Sequence, residues 1–299
     1  MKFPLLSLLY LCLLPLFSSA QDEGLLNRLN AIQYRGIDFF NAEGIEVTVQ
    51  KSKGKFNKKN IVKGRKRYVV KQQYLKLSDN LFRPSTYHMV KSRRFSDKLV
   101  QNVSFYFIEQ PNEEIKGITF SAINKVDKRF ESDFIDLLES NKITPAKYED
   151  LLVDSINFAG RKMWLGSSYR WMGINHIGCP KMGTMSWSVY KHADSAAKGI
   201  VHNYELTKLF NKGIIVQEDK VPVTFEGVDV EARRLVYKFK GISAFFSGLD
   251  GGLTQTIYFL SVPLRGNSVS CSLSFFNTDN IDHETGLPPL LNKVMKLKK

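Results

Sequence analysis

The chain has 299 residues, of which 43% are hydrophobic and 12% aromatic, and its formal net charge is +14 at pH 7. This apolar content suits a globular core and excludes a wholly disordered chain. The length fits one large domain or two, and the excess of positive charge points to anionic partners.

The first twenty residues have the layout of a secretory signal peptide. Lys2 precedes an apolar run from Phe3 to Phe17, and small residues stand directly before Gln21. The run is short for a membrane span and contains two prolines, which favours cleavage after Ala20 over a membrane anchor. We therefore expect a mature chain without a transmembrane segment, located outside the cytoplasm, either periplasmic or fully secreted.

A strongly basic stretch follows the predicted strand Ile45–Val49. Residues 47–78 contain no acid, and within them we define the basic segment as residues 51–71. Its ten cations are candidates for electrostatic partner binding, and Lys76 adds an eleventh. Such a cluster attracts anionic envelope components or acidic proteins, although Lys-rich stretches also form solvated loops or protect sheet edges. No nucleic-acid-binding motif accompanies it, so specific nucleic-acid recognition is not expected. The ten are Lys51, Lys53, Lys55, Lys58, Lys59, Lys63, Arg65, Lys66, Arg67 and Lys71.

The rest of the first half predicts a hairpin and two helices. Val103–Ile108 and Ile115–Ile123 flank a Pro-Asn turn and are typical of paired strands. The stretch Ser132–Ser140 has one apolar helical face. A second helix is expected to begin at Thr144–Pro145, because Thr is a capping residue and Pro is tolerated in the first helical turn. We assign residues 21–155 to a first domain.

An aromatic segment opens the second half, between residues 163 and 190. It contains all three tryptophans and four methionines. Exposed Trp and Tyr side chains could stack on sugars or anchor a protein partner, so Trp164, Tyr169, Trp171 and Trp187 are alternative ligand-binding candidates. The opposing interpretation is that these large side chains form a domain core.

A helix over Asp194–Lys212, four strands and a closing helix Leu287–Lys296 complete the predicted second domain, residues 156–299. The segments beginning SFYFIEQP and TIYFLSVP align as strand, proline turn, strand and helix, which suggests an internal duplication. The predicted fold class is therefore α+β, with two tandem domains, each a mostly antiparallel sheet packed with helices. The four strands are Val221–Phe225, Ala232–Phe239, Thr256–Val262 and Ser268–Phe276.

Residues 214–299 resemble the end of a PsbP-like domain. The stretches VTFEGVDVEARRLVYKFKG, TIYFLSVPLRGNSVSCSLSFF and LPPLLNKVMKL follow the order strand, strand, hairpin and final helix. The resemblance extends more loosely to residues 101–140. It implies an antiparallel sheet between helices, and members of this family include non-enzymatic extracytoplasmic accessory proteins.

Two cysteines, Cys179 and Cys271, follow the predicted cleavage site. An oxidising compartment would favour a disulfide between them; two buried free thiols are the alternative. His176 and Cys179 lack the second pair of ligands that a zinc site needs, so no metal is expected.

We expect no catalytic residues and no cofactor. The sequence has no G-x-S-x-G, H-E-x-x-H or P-loop motif, and its five histidines are scattered. The predicted function is that of an exported, non-enzymatic binding or accessory protein of the cell envelope, with a basic surface for an anionic partner. The alternatives are a carbohydrate- or small-ligand-binding domain that uses the aromatic segment, and a secreted hydrolase of unrecognised type.

Overall fold

We describe the protein from a computed structural model, which covers residues 24–64, 70–78, 85–239 and 253–298. The predicted signal peptide and three cations of the basic segment, Arg65, Lys66 and Arg67, lie outside these ranges. Within them, no helix combines the length and the apolar character needed to cross a membrane.

Seven antiparallel strands from the first half form the first sheet. Their spatial order is β1-β2-β3-β7-β6-β5-β4, so the chain makes a three-stranded meander, crosses over, and returns through a four-stranded meander to pair β7 with β3. The predicted hairpin of the first half is confirmed as β6 and β7. The bounds are β1 Asn30–Tyr34, β2 Ile37–Ala42, β3 Ile45–Lys53, β4 Lys76–Ser78, β5 Thr86–Ser96, β6 Leu99–Gln110 and β7 Glu114–Ile123.

Both faces of the first sheet carry apolar side chains, because residues along a strand alternate between faces. Tyr106 and Ile108 point to the first face, which is covered by the helix α2, Lys128–Glu139. The Asp127 side chain caps this helix by accepting a hydrogen bond from the Phe130 amide at 3.0 Å. Phe105 and Phe107 point to the second face, which is partly covered by the short helix α1, Lys58–Gly64.

Eight antiparallel strands from the second half form the second sheet, in the order β10-β11-β12-β16-β15-β14-β13-β17. A separate two-stranded sheet, β8 Ser155–Phe158 and β9 Arg161–Trp164, precedes it. The predicted helix Asp194–Lys212 is confirmed as α3, Ala193–Phe210. The remaining bounds are β10 Arg170–Gly173, β11 His176–Cys179, β12 Gly183–Tyr190, β13 Ile214–Phe225, β14 Val228–Lys238, β15 Thr254–Leu264, β16 Asn267–Phe276, α4 Pro289–Asn292 and β17 Met295–Leu297.

The two faces of the second sheet also pack against different parts of the chain. Val269, Cys271 and Leu273 of β16 lie in a large core, which the β8–β9 hairpin and the C-terminal residues 287–295 complete. On the opposite face, α3 packs through Tyr204 against Phe259 and its neighbours. Helix α3 is therefore the cover of the second face of this sheet.

The two sheets share one strand order. Each contains a three-stranded meander followed by a four-stranded meander whose last strand pairs with the third strand of the first meander, and the second sheet adds β17 at its edge. The hairpins β6–β7 and β15–β16, which contain the similar sequence segments, occupy the same place in this order. The shared path supports the internal duplication, which stays a prediction.

The predicted α+β class with helices packed on each sheet is wrong. The fold is dominated by antiparallel sheet, with 51% of the described residues in strands and 21% in helices. The helix expected at Thr144 is only a 3-10 turn, Pro145–Lys147, after which the Glu149 amide donates to the Ala31 carbonyl at 2.8 Å. The backbone here finds its partner on β1, so it does not need a helix.

The closing helix of the predicted PsbP-like end is also shorter than expected. Residues 214–239 do form two strands and residues 253–276 a hairpin, but α4 has only four residues. Met295 then pairs with Phe225, so β17 adds an eighth strand to the sheet. Burial of Leu290, Leu291 and Met295 in the large core explains why this apolar stretch does not continue as one helix.

The predicted disulfide is not formed in the structure, where Cys179 and Cys271 are both free thiols. Strand β12 lies between them, with Cys179 opposite Gly183 and Cys271 opposite Trp187. The offset amounts to about 10 Å across the strands and about 13 Å along them. A disulfide requires Cα atoms within about 7 Å of each other. Burial raises the pKa of the Cys271 thiol, which keeps it protonated.

Candidate functional site

The basic segment is anchored to the second face of the first sheet. Ile61 of α1 is buried together with Leu75, and both pack against Phe105 and Phe107 of β6. The Asn57 side chain accepts a hydrogen bond from the Asn60 amide at 2.9 Å at the start of this helix. The apolar residues thus fix one side of the described part of the segment, and most of its described lysines are exposed to solvent.

The lysines of this segment have little compensating charge. Lys51 is 62% exposed and lies 3.9 Å from Glu114, and this is the one ion pair of the segment in the part of the chain that the structure describes. The Lys58 amine lies 5.7 Å from the centre of the Tyr87 ring. The other described lysines of the segment are exposed, namely Lys53, Lys55, Lys59, Lys63 and Lys71.

Strand β5 extends this positive charge along the same sheet face. Lys91 and Arg93 are exposed and share the face of Met89, which belongs to the cluster beneath the basic segment. Sequence reasoning missed both, although the alternation Met-x-Lys-x-Arg in residues 89–93 was a signal for a half-exposed strand. We define the basic surface by the described residues Lys55, Lys58, Lys59, Lys63, Lys71, Lys91 and Arg93.

The aromatic segment does not form one exposed surface. Trp187 and Tyr169 are buried in the large core of the second half. Trp171 is partly buried and donates its indole N–H to the Asp150 carbonyl at 3.0 Å. Trp164 is 65% exposed, with the Lys162 amine 4.5 Å from its ring centre. The four side chains are thus divided between core and surface.

A cleft between the two halves is a site that sequence reasoning did not predict. We call this cavity of about 690 Å³ the interface cleft. Its floor is the second face of the first sheet, through Glu46, Gln101 and Ser121. Its roof is helix α3, and its back wall is the polar face of β12. Because the walls come from residues far apart in the chain, no local sequence pattern predicts the cleft.

Glu43, in the turn between β2 and β3, joins the two halves beside this cleft. Its amide donates to the Val189 carbonyl at 2.9 Å, and its carboxylate accepts from the Lys191 amide at 2.9 Å. The same carboxylate pairs with Arg28 at 2.6 Å. These contacts hold the first sheet against the end of β12.

Tyr190 fills the narrow end of the interface cleft between two glycines. A Cβ atom added to Gly199 of α3 would lie 2.8 Å from the Tyr190 Cζ, and one added to Gly44 would lie 3.0 Å from it. Either distance is too short for a carbon–carbon contact. The glycine inside α3 is therefore explained by the close approach of the tyrosine ring.

A cluster of basic groups lies in the interface cleft at the end of β7. Asn124 accepts from the Val100 amide at 2.7 Å through its carbonyl oxygen, so its NH₂ group faces His202 Nε2 at 3.1 Å. That nitrogen must be the acceptor, which places the imidazole proton on Nδ1. Burial and the nearby charges of Lys125 and Lys198 lower the pKa of His202. The ring is thus neutral and in one tautomer.

Lys125 and Glu46 are charged groups held within the interface cleft. The Lys125 amine donates to the Glu43 main-chain oxygen at 2.9 Å, and burial lowers its pKa. Glu46 is accessible to solvent, yet crowding by surrounding protein atoms raises its pKa. A side chain that is exposed to solvent but surrounded by many protein atoms is expected on the wall of a concave site.

A second charged cluster fastens α2 to the first face of the first sheet. The Lys128 amine contacts Glu131 at 2.8 Å, the Tyr106 hydroxyl at 3.1 Å and His88 Nε2 at 3.1 Å. Burial, Lys128 and Lys76 lower the pKa of His88 to about 4, against an opposing effect of Glu131. His88 therefore accepts the lysine hydrogen bond as a neutral ring.

A third charged cluster closes the hairpin ends of the second half. The Glu226 carboxylate is 6% exposed and pairs with Arg161 at 2.5 Å and with Arg265 at 3.0 Å. Arg265 also donates to the main-chain oxygens of Phe158 and Ala159. This arrangement ties three hairpins together and has a structural role. Among the residues that the structure covers, no group of three or more His, Cys, Asp or Glu side chains could hold a metal ion.

Comparison with known proteins does not assign this chain to a family. No family model matches it, and no curated protein matches it. Among solved structures it is similar to the di-domain ARO/CYC StfQ from the steffimycin biosynthetic pathway, at 8% sequence identity and a TM-score of 0.16. That similarity covers 82% of this chain and 72% of the other. A TM-score this low does not establish a shared fold.

Proposed function

We propose that this protein is an exported, non-enzymatic binding protein whose basic surface holds an anionic partner, either an envelope component or an acidic protein. The observation that carries the proposal is the set of exposed lysines around α1. Among the described residues they make no ion pair, and the pair Lys51–Glu114 lies at the edge of the segment. The helix that carries most of them is packed on the first sheet.

Charge attraction is the mechanism that this arrangement supports. Unpaired cations on one side of a molecule raise the local concentration of anions and speed their encounter. Lys91 and Arg93 extend the same field along β5, which favours an extended partner over a single small ion. Such binding is weakly selective and falls steeply with salt, because ions are released when the surfaces meet.

The aromatic alternative is less well supported. A sugar-binding platform needs several exposed rings, and here Trp187 and Tyr169 are buried in the core. Trp164 alone does not supply such a platform.

The test is a binding experiment with the protein lacking residues 1–20. Envelope extract and, separately, phosphatidylglycerol vesicles are offered at about 50 mM and about 500 mM salt. The variant Lys58→Glu/Lys59→Glu/Lys63→Glu is compared with Lys181→Glu/Lys293→Glu/Lys296→Glu, which makes the same charge change on exposed lysines of the second half. We expect at least a tenfold loss of binding, on the order of 1.4 kcal/mol, for the first variant and for high salt. Equal binding by the two triple variants would contradict the proposal.

A further inference from the structure

The interface cleft has a composition that differs from the basic surface. Its walls carry amides and hydroxyls, with Gln101 and Ser121 on the floor, Ser186 and Ser188 on the back wall, and Asn203 on the roof. These groups both donate and accept hydrogen bonds, which is what recognition of a hydroxyl-bearing molecule requires. The volume of about 690 Å³ is within the usual range for small-molecule sites.

One end of the cleft concentrates positive charge. Lys125 from the end of β7 and Lys198 from α3 are both close enough to His202 to act on its ionisation. Lys125 contacts a main-chain oxygen, and within the described ranges neither amine makes an ion pair. Glu43 and Asp127 offset part of the charge of Lys125, and an anion that enters beside His202 is attracted by both amines.

The rest of the cleft limits what that anion can be. Glu46, on the floor, carries the one carboxyl group of the lining that is without an ion-pair partner among the described residues, because Glu43 is paired with Arg28. A polyanion would meet repulsion there, whereas a molecule with one charged end and hydroxyls beyond it would not. Phe95 and Phe210, whose ring centres are 5.2 Å apart, close the outer rim with an apolar contact.

We propose that the interface cleft binds a small, hydroxyl-bearing organic anion, with its carboxylate or phosphate held among Lys125, Lys198 and His202. The hydroxyls contact the serine and amide groups of the walls. His202 contributes its Nδ1 proton as a neutral donor, since Nε2 is occupied by Asn124. The site requires both halves of the molecule, because the floor and the roof come from different sheets and their connections.

This site is independent of the proposed function of the basic surface. Helix α1 covers one end of the second face of the first sheet, and the cleft lies at the other end. The lining of the cleft contains none of the α1 lysines. A result that contradicts one proposal therefore leaves the other standing. The variant Lys58→Glu/Lys59→Glu/Lys63→Glu should keep full affinity in the cleft even where it no longer binds the envelope partner.

Isothermal titration calorimetry with glucose 6-phosphate, glucuronate and glucose tests the assignment. We expect at least one of the two anions to bind at least tenfold more tightly than glucose. Lys198→Met should weaken that binding at least tenfold, and Lys181→Met, an exposed lysine of the second half, should leave it unchanged. In parallel, the imidazole resonances of His202 should shift when the anion is added to the wild type and not when it is added to Lys198→Met.

Three results would overturn the proposal. They are equal affinity for glucose and the anions, absence of binding by all three probes, and unchanged anion affinity in Lys198→Met. Circular dichroism of the variants separates loss of a contact from loss of the fold. Lys198 is exposed on the surface of α3, so its substitution is expected to leave the fold intact.

Discussion

The two sheets have the same strand order but differ in the chain segment that links their meanders. In the first half, the crossover from β3 to β4 contains the basic segment and the seven-residue helix α1. In the second half, the crossover from β12 to β13 is the 18-residue helix α3. Both crossovers cover the second face of their own sheet. The short one leaves part of that face open, and α3 of the second half forms the roof above it.

The largest effect is expected from removing the anchor of the short crossover. Ile61→Ala deletes a buried side chain that holds α1 on Phe105 and Phe107, and such substitutions cost about 2–4 kcal/mol. Urea unfolding followed by circular dichroism measures this loss. Val90→Ala, at an exposed position of β5, is the matched control and should change stability by less than about 0.5 kcal/mol. If both variants are equally stable, the crossover is not fastened through Ile61.

The Glu226 cluster sharpens the comparison, because Glu226 binds two arginines at the hairpin ends of the second half, whereas Glu43 in the β2–β3 turn of the first sheet pairs with Arg28. Glu226→Gln keeps the size of the side chain but leaves the Arg161 and Arg265 guanidinium groups facing each other. We expect a loss of about 1–2 kcal/mol, because the buried carboxylate is removed while the Arg161 and Arg265 side chains, 39% and 33% exposed, keep part of their hydration.

The measurement is again urea unfolding, with Glu231→Gln as the control. Glu231 makes an exposed pair with Lys220 at 2.6 Å, and exposed pairs contribute no more than about 1 kcal/mol. A loss no greater than that of the control would show that the Glu226 cluster does not fasten the hairpins.

A comparable or smaller effect is expected where α3 packs on Tyr190, at the end of β12. Alanine inside a helix usually stabilises relative to glycine, but Gly199→Ala should cost about 1–2 kcal/mol because the new methyl group meets the Tyr190 ring. Combining it with Tyr190→Leu, which removes the ring, should restore part of this loss. A double-mutant cycle measured by thermal unfolding gives the coupling. Additive effects would mean that the ring and the helix do not touch.

The smallest effect concerns the pH dependence of the first half. The pKa of His88 is lowered from 6.5 to about 4, so the folded protein does not bind this proton until the pH falls near 4. The unfolded chain binds it below about pH 6.5, so the free energy of unfolding should fall between pH 6.5 and pH 4, by roughly 1–2 kcal/mol. The charged groups that face the ring are Lys128, Glu131 and Lys76.

The variant His88→Gln isolates this contribution, because glutamine can accept the Lys128 hydrogen bond and does not titrate. Urea unfolding at pH 7 and at pH 4.5 should show a smaller decrease in the variant than in the wild type. An identical decrease in both proteins would assign the acid sensitivity to other groups.

Local patterns in the sequence predicted much of the sheet but little of the site. The strand-like runs 103–108 and 115–123 on either side of the Pro-Asn turn predicted the β6–β7 hairpin, and β6 is buried on both faces. The basic segment was found from composition, whereas α1 within it was not, since its helix depends on Ile61 reaching the sheet. The interface cleft could not be predicted, because Glu46, Lys125 and His202 meet only through the packing of the two halves.

The position of α3 late in the chain also sets the order in which the basic surface and the interface cleft can form during synthesis. The basic surface is complete once the first sheet and its cover α2 have folded, whereas the cleft has no roof until α3 has been synthesised and docked. A protease cut in the connection 144–155, where Leu151 and Leu152 are exposed, would therefore separate the two regions. The released N-terminal fragment would keep its lysines while the anion site disappeared with the second half.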